Sequence, residues 1–352
     1  MTDGERVIKK SSGNRKEAIF SKTKNEVKYL AIKELNEEKN YSVQWMCKKL
    51  NVSRAAYYRW LNRKIPQKEL EDIELGRLVL EYHQEYGGIL GYRRMTMFIN
   101  RKHQKQLKHK RIRRIMRIVG VSSIIKRVRK CCTVSNKTDQ KAKNILNREF
   151  EAFAPNEKWT TDVCELKIPK SNKKLYLSVF LDLYDRSIVG WQLSETNDNK
   201  LVFDTLNKAI EANPQAQPLF HSDRGYQYTS TSFRNKLKQL GIQQSMSRVG
   251  MCIDNCPSEG LWGIIKDEMY QMYDIYDKES LIQALINYIE FYNYHRYQER
   301  YDCKAPMEVR LEALQTDIPK RYPIPINRRI EKYKANLASK NPTESSAGLE
   351  LF

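Results

Sequence analysis

The spacing of apolar residues changes near residue 155 of the chain. Before that point, apolar positions recur every three to four residues, which predicts amphipathic helices. We expect them at 24–38, at 73–82, 92–100 and 108–119, and as a pair of short helices within 42–61. Beyond residue 155, apolar runs of strand length alternate with short polar turns, which predicts a sheet. The chain is therefore expected to join an all-helical part to a part built on β-strands.

The second part contains five expected strands, and the first three are consecutive, which is typical of an antiparallel meander. The expected strands are 159–168, 175–184, 187–194, 218–221 and 243–246, with helices at 200–212 and 232–240 before the last two. Three strands followed by alternating helix and strand predict a mixed five-stranded α/β sheet of ribonuclease-H type, preceded by all-α helix-turn-helix units.

A length of 352 residues allows two or three domains of roughly 100 to 200 residues each. Changes in pattern and composition suggest the boundaries. We expect a flexible lead-in at 1–24, a helix-turn-helix at 25–65, a second, very basic helical unit at 70–125, a linker at 126–152, a catalytic core at 153–312, and an extension with a loose tail at 313–352. A basic helix at 327–337 is expected within that extension.

Charge separates the two parts of the chain more sharply than hydropathy does. Residues 1–150 hold 37 Lys and Arg against 15 Asp and Glu, whereas the remainder holds 26 against 27. Positive charge gathered at one end gains affinity for nucleic acid by releasing condensed counterions. Double-stranded DNA is therefore the expected partner, bound mainly by the first part.

The segment from Ser42 to Leu61 predicts a helix-turn-helix, because Asn51 and Val52 form a turn and Ser53 can cap the next helix. Arg54 and Arg59 lie on that second helix, where a recognition helix meets DNA. A plain helical hairpin is the alternative.

Thirteen Lys and Arg and no acid occupy residues 101–130. In the helix at 108–119, the apolar positions form one face, and cations cover the rest. These cations, expected to be unopposed within the chain and to contact DNA phosphates, are Lys110, Arg111, Arg113, Arg114 and Arg117.

Seven scattered cysteines in a chain with no export signal predict reduced thiols. Cys252 and Cys256 are four residues apart, but no matching pair of histidines accompanies them, so a zinc site is not expected. No run of about 18 apolar residues is present. We expect a cytoplasmic, nucleoid-associated protein without a membrane segment.

Three acidic residues occupy the positions that metal-ion phosphoryl chemistry requires. Asp162 lies within the first expected strand, Asp223 just past the fourth, and Glu259 in the first turn of a helix started by Pro257. Carboxylates on a rigid sheet and an adjacent helix can hold two Mg²⁺ ions, or Mn²⁺ in their place, that clamp a phosphodiester. Taken singly, each acid is more simply interpreted as a surface carboxylate, but their arrangement makes the three candidates for catalytic and metal-binding residues.

Several motifs together carry a specific resemblance. They are Trp159-Thr-Thr-Asp162, His221-Ser-Asp223-Arg-Gly225, Ser245-Met-Ser-Arg248, Asp254-Asn255, Glu259, Lys266, Tyr292-Asn293 and Pro306. From about residue 25 to 312, the chain resembles the integrase-type insertion-sequence transposases whose enzyme is encoded in two overlapping frames, orfA and orfB. It resembles the orfB product.

That resemblance implies a retroviral-integrase-like catalytic domain in which Asp162, Asp223 and Glu259 form the triad. It also implies a need for divalent metal, strand transfer between DNA ends, self-association on DNA, and recognition of terminal inverted repeats and target DNA. An orfA-encoded partner is a further expectation. Lys266 is carried over as a DNA contact, and helical spacing independently puts it on the face of Glu259. Arg224, beside Asp223, is a second candidate contact.

Two other functions remain open at this point. A nuclease of the same fold would cleave without rejoining, and an inactive regulator would only bind DNA. Among single residues, His221 is either a ligand-orienting or a packed histidine, and Tyr226 and Tyr228 either stack on a base or pack. Asp185 is expected in a turn and Asp254 in a loop.

Overall fold

The computed structural model describes residues 25–125, 142–249, 251–324 and 328–340. The chain divides into two compact units at residues 126 and 127. The expected lead-in at 1–24, the first part of the expected linker and the tail from 341 lie outside the described residues. Within the described part, no helix is long and apolar enough to cross a membrane.

The first unit is all helical. Its helices are α1 (Glu26–Lys39), α2 (Val43–Lys49), α3 (Arg54–Leu61), α4 (Gln67–Glu85), α5 (Tyr92–Lys102) and α6 (His109–Ile118). The hydroxyls of Ser42 and Ser53 accept hydrogen bonds from the backbone at the starts of α2 and α3, as helix-capping residues do. Tyr29, Met46 and Tyr57 join α1, α2 and α3 in one apolar core.

Two of the five cations predicted to be unopposed on α6 have acidic partners within the chain. Arg111 donates to Asp72 at 2.8 Å and to Glu71 at 2.9 Å, and Arg114 also donates to Asp72. Asp72 is buried on α4. The prediction is therefore wrong for Arg111 and Arg114, because it considered only acids close in sequence, whereas α4 packs on α6.

The second unit contains the predicted sheet. Its strands are β1 (Lys158–Lys167), β2 (Lys174–Asp182), β3 (Ile188–Ser194), β4 (Leu219–Ser222) and β5 (Gln243–Met246). They lie in the order β3-β2-β1-β4-β5. Strand β1 pairs with β2 in the antiparallel direction and with β4 in the parallel direction. The prediction of a mixed five-stranded sheet of ribonuclease-H type is confirmed.

Helices cover this sheet and continue beyond it. They are α7 (Asn199–Ala212), α8 (Tyr226–Thr229), α9 (Thr231–Gln239), α10 (Cys256–Met272), α11 (Lys278–Glu290), α12 (Pro306–Leu314) and α13 (Arg328–Lys340). Helix α7 and α9 pack on the sheet through a core that includes Trp159, Phe180, Leu206, Phe220 and Phe233. Pro257 lies in the first turn of α10, as expected.

The last part of the predicted linker belongs to the folded second unit. Leu146 and Phe150 are buried against Leu183 and Tyr301. The Ser245 hydroxyl accepts hydrogen bonds from the backbone amides of residues 145 and 146, at 2.9 and 3.0 Å. The polar surroundings of these two apolar anchors concealed them in the sequence, and residues 142–152 of the expected linker therefore pack within the second unit.

Asp182 and Asp185 form a buried ionic cluster with Arg310. Both aspartates are fully buried, and one guanidinium nitrogen of Arg310 lies 3.0 Å from Asp182 and 2.9 Å from Asp185. This cluster ties the end of β2 to α12. The expected turn around Asp185 is present, but the side chain of Asp185 also compensates a distant arginine.

Replacing Arg310 with Met is expected to lower the free energy of unfolding by about 3 to 5 kcal/mol, because two buried carboxylates lose their cation. Denaturant unfolding followed by circular dichroism measures the change. Lys320→Met is the control, since Lys320 and its partner Asp302 are both exposed, and no measurable loss is expected. Equal stability of the Arg310 variant and the wild type would contradict the role of the cluster.

Candidate active site

The register of β1 and β4 brings two of the predicted acids together. Thr160 of β1 pairs with His221 of β4, in a parallel ladder that begins at Lys158 and Leu219. Continued in step, this register puts Asp162 level with Asp223, which directly follows β4. Asp162 and Asp223 therefore meet at one edge of the parallel pair.

Asp162 is held by two hydrogen bonds. Its Oδ1 accepts from the backbone amide of Val163 at 2.8 Å, and its Oδ2 accepts from the indole nitrogen of Trp262 at 3.0 Å. Trp262 lies three residues beyond Glu259 on α10, so both share one face of the helix. The indole thus connects the helix that carries Glu259 directly to Asp162.

A second contact fixes the start of α10 against β1. The side-chain amide of Asn255, which directly precedes α10, donates to the backbone carbonyl of Thr161 at 3.0 Å. Asn255 is buried, whereas Glu259, one turn into α10, is exposed. The helix is therefore positioned by buried contacts while its acidic residue remains accessible.

Asp223 lies in a tight turn that depends on Gly225. The backbone amide of Gly225 donates to Asp223 Oδ1 at 2.9 Å. A Cβ at position 225 would lie 3.1 Å from that same oxygen and 2.9 Å from Oε1 of Gln227. Glycine therefore lets the chain fold closely around the carboxylate.

Burial raises the pKa of all three carboxylates, and the charge of Asp223 adds to this at Asp162 and Glu259. Burial, and then the charge of Asp223, raises the pKa of Asp162 to about 7. Burial also raises the pKa of Asp223, and burial together with the charge of Asp223 raises that of Glu259. The site therefore concentrates negative charge at a cost that a bound cation would offset.

Buried acids elsewhere in the second unit have arginine partners. Asp182 pairs with Arg310, Asp254 with Arg148 and Arg248, and Glu268 with Arg296. Among the ion pairs of the described residues, none involves Asp162, Asp223 or Glu259. The site thus differs from the structural acids in having no compensating cation from this part of the chain.

The donor chemistry fits a hard divalent cation, since carboxylate oxygens are the ligands that Mg²⁺ prefers. However, the described residues contain no group of three or more His, Cys, Asp or Glu side chains arranged to hold a metal ion. The carboxylates lie within electrostatic range but not at ligand spacing.

Lys266 lies along α10 on the side of the helix that meets β1. The charge of its amine opposes the burial that raises the pKa of the Cys164 thiol, and Cys164 follows Asp162 by two residues and therefore projects from the same face of the strand. Glu268, two residues further along α10, accepts a hydrogen bond from Arg296 at 2.9 Å. Lys266 is exposed beside the acidic edge.

Most of the alternatives around Asp223 are decided by packing. His221 is fully buried, and its two ring nitrogens lie 2.9 and 3.1 Å from the hydroxyls of Ser245 and Ser247. Burial lowers its pKa to about 4, so it is a neutral, packed histidine. Tyr228 is also packed, whereas Tyr226 is 57% exposed.

The other side chains predicted to contact DNA differ in their exposure and in their contacts within the chain. Arg224 donates to the backbone carbonyl of Ser247 at 2.8 Å, so it braces the loop after β5. The remaining predicted cations outside the Asp72 cluster are exposed in the first unit: Arg54, Arg59, Lys110, Arg113 and Arg117.

Sequence reasoning missed Trp262 altogether, and it quoted Asn255 only as part of a motif, without a role. A tryptophan three residues after Glu259 on a predicted helix was a usable signal for Trp262. The role of Asn255 had no such signal, because the carbonyl it binds belongs to a strand distant in sequence. Asp254, expected in a loop, is fully buried in an arginine cluster.

Comparison with known proteins gives two family matches and many relatives. Residues 152–252 match the family model described as "Integrase core domain", and residues 69–129 match that described as "HTH-like domain". The second match falls on α4 to α6, whereas the helix-turn-helix expected at 42–61 precedes it. Glu259 lies beyond the integrase match.

The chain is 34% identical over 281 residues to "Putative transposase InsK for insertion sequence element IS150" of Escherichia coli strain K12, covering 79% of this chain and 97% of that protein. The chain belongs to the insertion-sequence transposases. A Shigella sonnei protein, "Insertion element IS600 uncharacterized 31 kDa protein", is 30% identical over 75% of this chain and 97% of its own length. The resemblance noted in the motifs is therefore confirmed.

Among solved structures, the magnesium complex of the HTLV-2 integrase catalytic core domain is 20% identical and covers 44% of this chain and 95% of its own, with a TM-score of 0.35. Family membership makes this transposase a polynucleotidyl-transferring enzyme of the integrase type.

Gly225→Ala is expected to displace Asp223 by a few tenths of an ångström and to lower DNA end joining about 3- to 10-fold, since small misplacements of reacting groups are costly. Gly263→Ala on α10 is the matched control, because its Cβ would meet nothing within 4 Å. It should retain full joining and gain helix stability of about 0.5 to 1 kcal/mol. Joining assays and thermal unfolding measure both. Full joining by the Gly225 variant would refute the tight-turn requirement.

Proposed function

We propose that this transposase cleaves DNA at the ends of its insertion sequence and joins the 3′-hydroxyl to a target phosphodiester, with Asp162, Asp223 and Glu259 holding two Mg²⁺ ions. Mn²⁺ would substitute for Mg²⁺. The register of β1 and β4 is the observation that carries the proposal, because it brings two partly buried carboxylates, which form no ion pair among the described residues, to one edge of the sheet.

The protein side chains orient the reaction. When bound, the divalent ions activate the attacking oxygen and stabilise the leaving oxygen. Trp262 keeps Asp162 in place, and Asn255 holds the start of α10 so that Glu259 faces the two aspartates. Lys266, exposed beside β1, holds a DNA phosphate near the site. No covalent protein–DNA intermediate is needed.

In this proposal the first unit binds DNA and the second unit carries out the reaction. Residues 25–125 grip double-stranded DNA, at the terminal inverted repeats of the element or at the target, through the exposed cations of α3 and α6. Residues 142–312 carry the chemistry. Synapsis of two ends implies self-association on DNA, and an orfA-encoded partner would supply further recognition.

The triad is tested with labelled element-end DNA, target DNA and Mg²⁺ or Mn²⁺. Asp162→Asn, Asp223→Asn and Glu259→Gln are each expected to lower joining by about 10²- to 10³-fold or more, because each removes a negative ligand. Asp267→Asn, an exposed acid on the same helix as Glu259, is the matched control and should join normally.

Undiminished joining by any of the three variants would remove that residue from the triad. Nicked products without joined products from the wild type would favour a nuclease instead. Tight DNA binding with neither product would favour a regulator. Circular dichroism and unfolding curves establish that the variants are folded.

The DNA grip is tested through the salt dependence of binding. Lys110→Gln and Arg117→Gln should each weaken binding similarly on all sequences and reduce the slope of log affinity against log salt by about 1. Arg111→Gln is the contrasting variant, since Arg111 pairs with buried Asp72. It should lower the unfolding temperature and leave the slope unchanged. A reversed pattern, with only Arg111 affecting the slope, would disprove the assignment.

A further inference from the structure

A buried ionic cluster lies directly before the helix that carries Glu259. Asp254 is fully buried and accepts hydrogen bonds from the guanidinium groups of Arg148, at 2.6 Å, and Arg248, at 2.7 Å. The side-chain amide of Asn144 also donates to it at 2.8 Å. Two separate stretches of the chain, at 144–148 and at 248, therefore converge on one carboxylate.

The aromatic ring of Tyr333 covers this cluster. Tyr333 lies on α13, in the extension that follows the family-like part of the chain. Its ring centroid is 3.7 Å from the guanidinium carbon of Arg148 and 4.5 Å from that of Arg248. Its hydroxyl donates to Asn147 at 3.1 Å. One ring thus stacks on both arginines that hold Asp254.

A short path leads from the cluster to the acidic site. Asp254 belongs to the 3-10 turn Cys252–Asn255. The last residue of this turn, Asn255, donates a hydrogen bond to the carbonyl of Thr161, beside Asp162. Glu259 follows in the first turn of α10. Whatever fixes Asp254 therefore fixes the direction in which the chain enters α10.

The stacked ring contributes by excluding water. The side chain of Arg148 is 5% exposed, but that of Arg248 is 28% exposed. An aromatic face attracts a guanidinium most strongly where water is excluded. Without the ring, Arg248 is free to hydrate, and the turn at 252–255 loses one of the groups that hold it closed.

We infer that Tyr333 is a positioning residue that holds the Arg148–Asp254–Arg248 cluster closed and so holds Glu259 at the carboxylate site. The C-terminal helix α13 is then part of the catalytic unit. The last link, from Glu259 to the reaction, rests on the proposed function. The earlier links, from Tyr333 to the turn before α10, do not.

Hydrogen exchange of the full-length chain without metal tests the earlier links. In Tyr333→Ala, the backbone amides of 251–259 should exchange about tenfold faster than in the wild type, because the turn opens more often. Tyr333→Phe keeps the ring and loses only the hydroxyl, so exchange should remain near the wild-type rate. Lys334→Ala is the matched control, because Lys334 lies on the same helix as Tyr333 and forms only a surface ion pair with Glu149.

Binding of Mn²⁺, followed by electron paramagnetic resonance, tests the link to the site. Tyr333→Ala should bind Mn²⁺ about fivefold to tenfold more weakly, with Tyr333→Phe restoring the affinity, as loss of an outer-shell support does at metal sites. A lower unfolding temperature with unchanged exchange at 251–259 would overturn the inference, since the role would be purely structural. Faster exchange with unchanged Mn²⁺ affinity would also overturn it.

The same Mn²⁺ measurement on Glu259→Gln separates this inference from the proposed function. Weaker binding in that variant supports both. If Glu259→Gln binds Mn²⁺ as the wild type does, the assignment of Glu259 as a ligand fails, and with it the last link of the inference. The exchange rates at 251–259 still decide whether Tyr333 holds the turn.

Discussion

The parallel pairing of β1 with β4 is the constraint on which the candidate site depends. Backbone hydrogen bonds between the strands bring Asp162 and Asp223 side by side, although two like charges in a partly buried place repel one another. The paired strands can accommodate this repulsion because apolar side chains such as Trp159 and Phe220 pack β1 and β4 into the core beneath α7 and α9. The acidic pair is thus a product of the sheet.

The other buried charges in the second unit serve the opposite purpose. Arg310, Arg296 and the Arg148–Arg248 pair each neutralise an acid and join segments distant in the sequence. Arg310 links α12 to the end of β2, whereas the other two clusters join segments that lie before and after α10 to that helix or to the turn before it. This pairing separates these structural acids from the three acids proposed to bind metal, which form no ion pair among the described residues.

Element type and position were predictable from the sequence to within a few residues in the second unit. Strand β5 begins and ends at the predicted residues, and β1 to β4 shift by two residues or fewer, because apolar runs between polar turns have few alternative arrangements. Helix α4 was predicted much too short, since its polar first turns hide its start. The role of residues 142–152 was missed because two buried side chains, Leu146 and Phe150, leave little trace in a polar stretch.

The sequence by itself determined the family, the fold class, the imbalance of charge and the identity of the three acids, since motifs and periodicity are local properties. Only the tertiary structure decided which charges are opposed and which remain free. Arg111 and Arg114 meet Asp72, Asp254 meets two arginines under Tyr333, and Asp162 meets Asp223 with no cation among the described ion pairs. These partners are distant along the chain, and the strength of an ionic interaction depends on distance and burial in space, which sequence spacing does not encode.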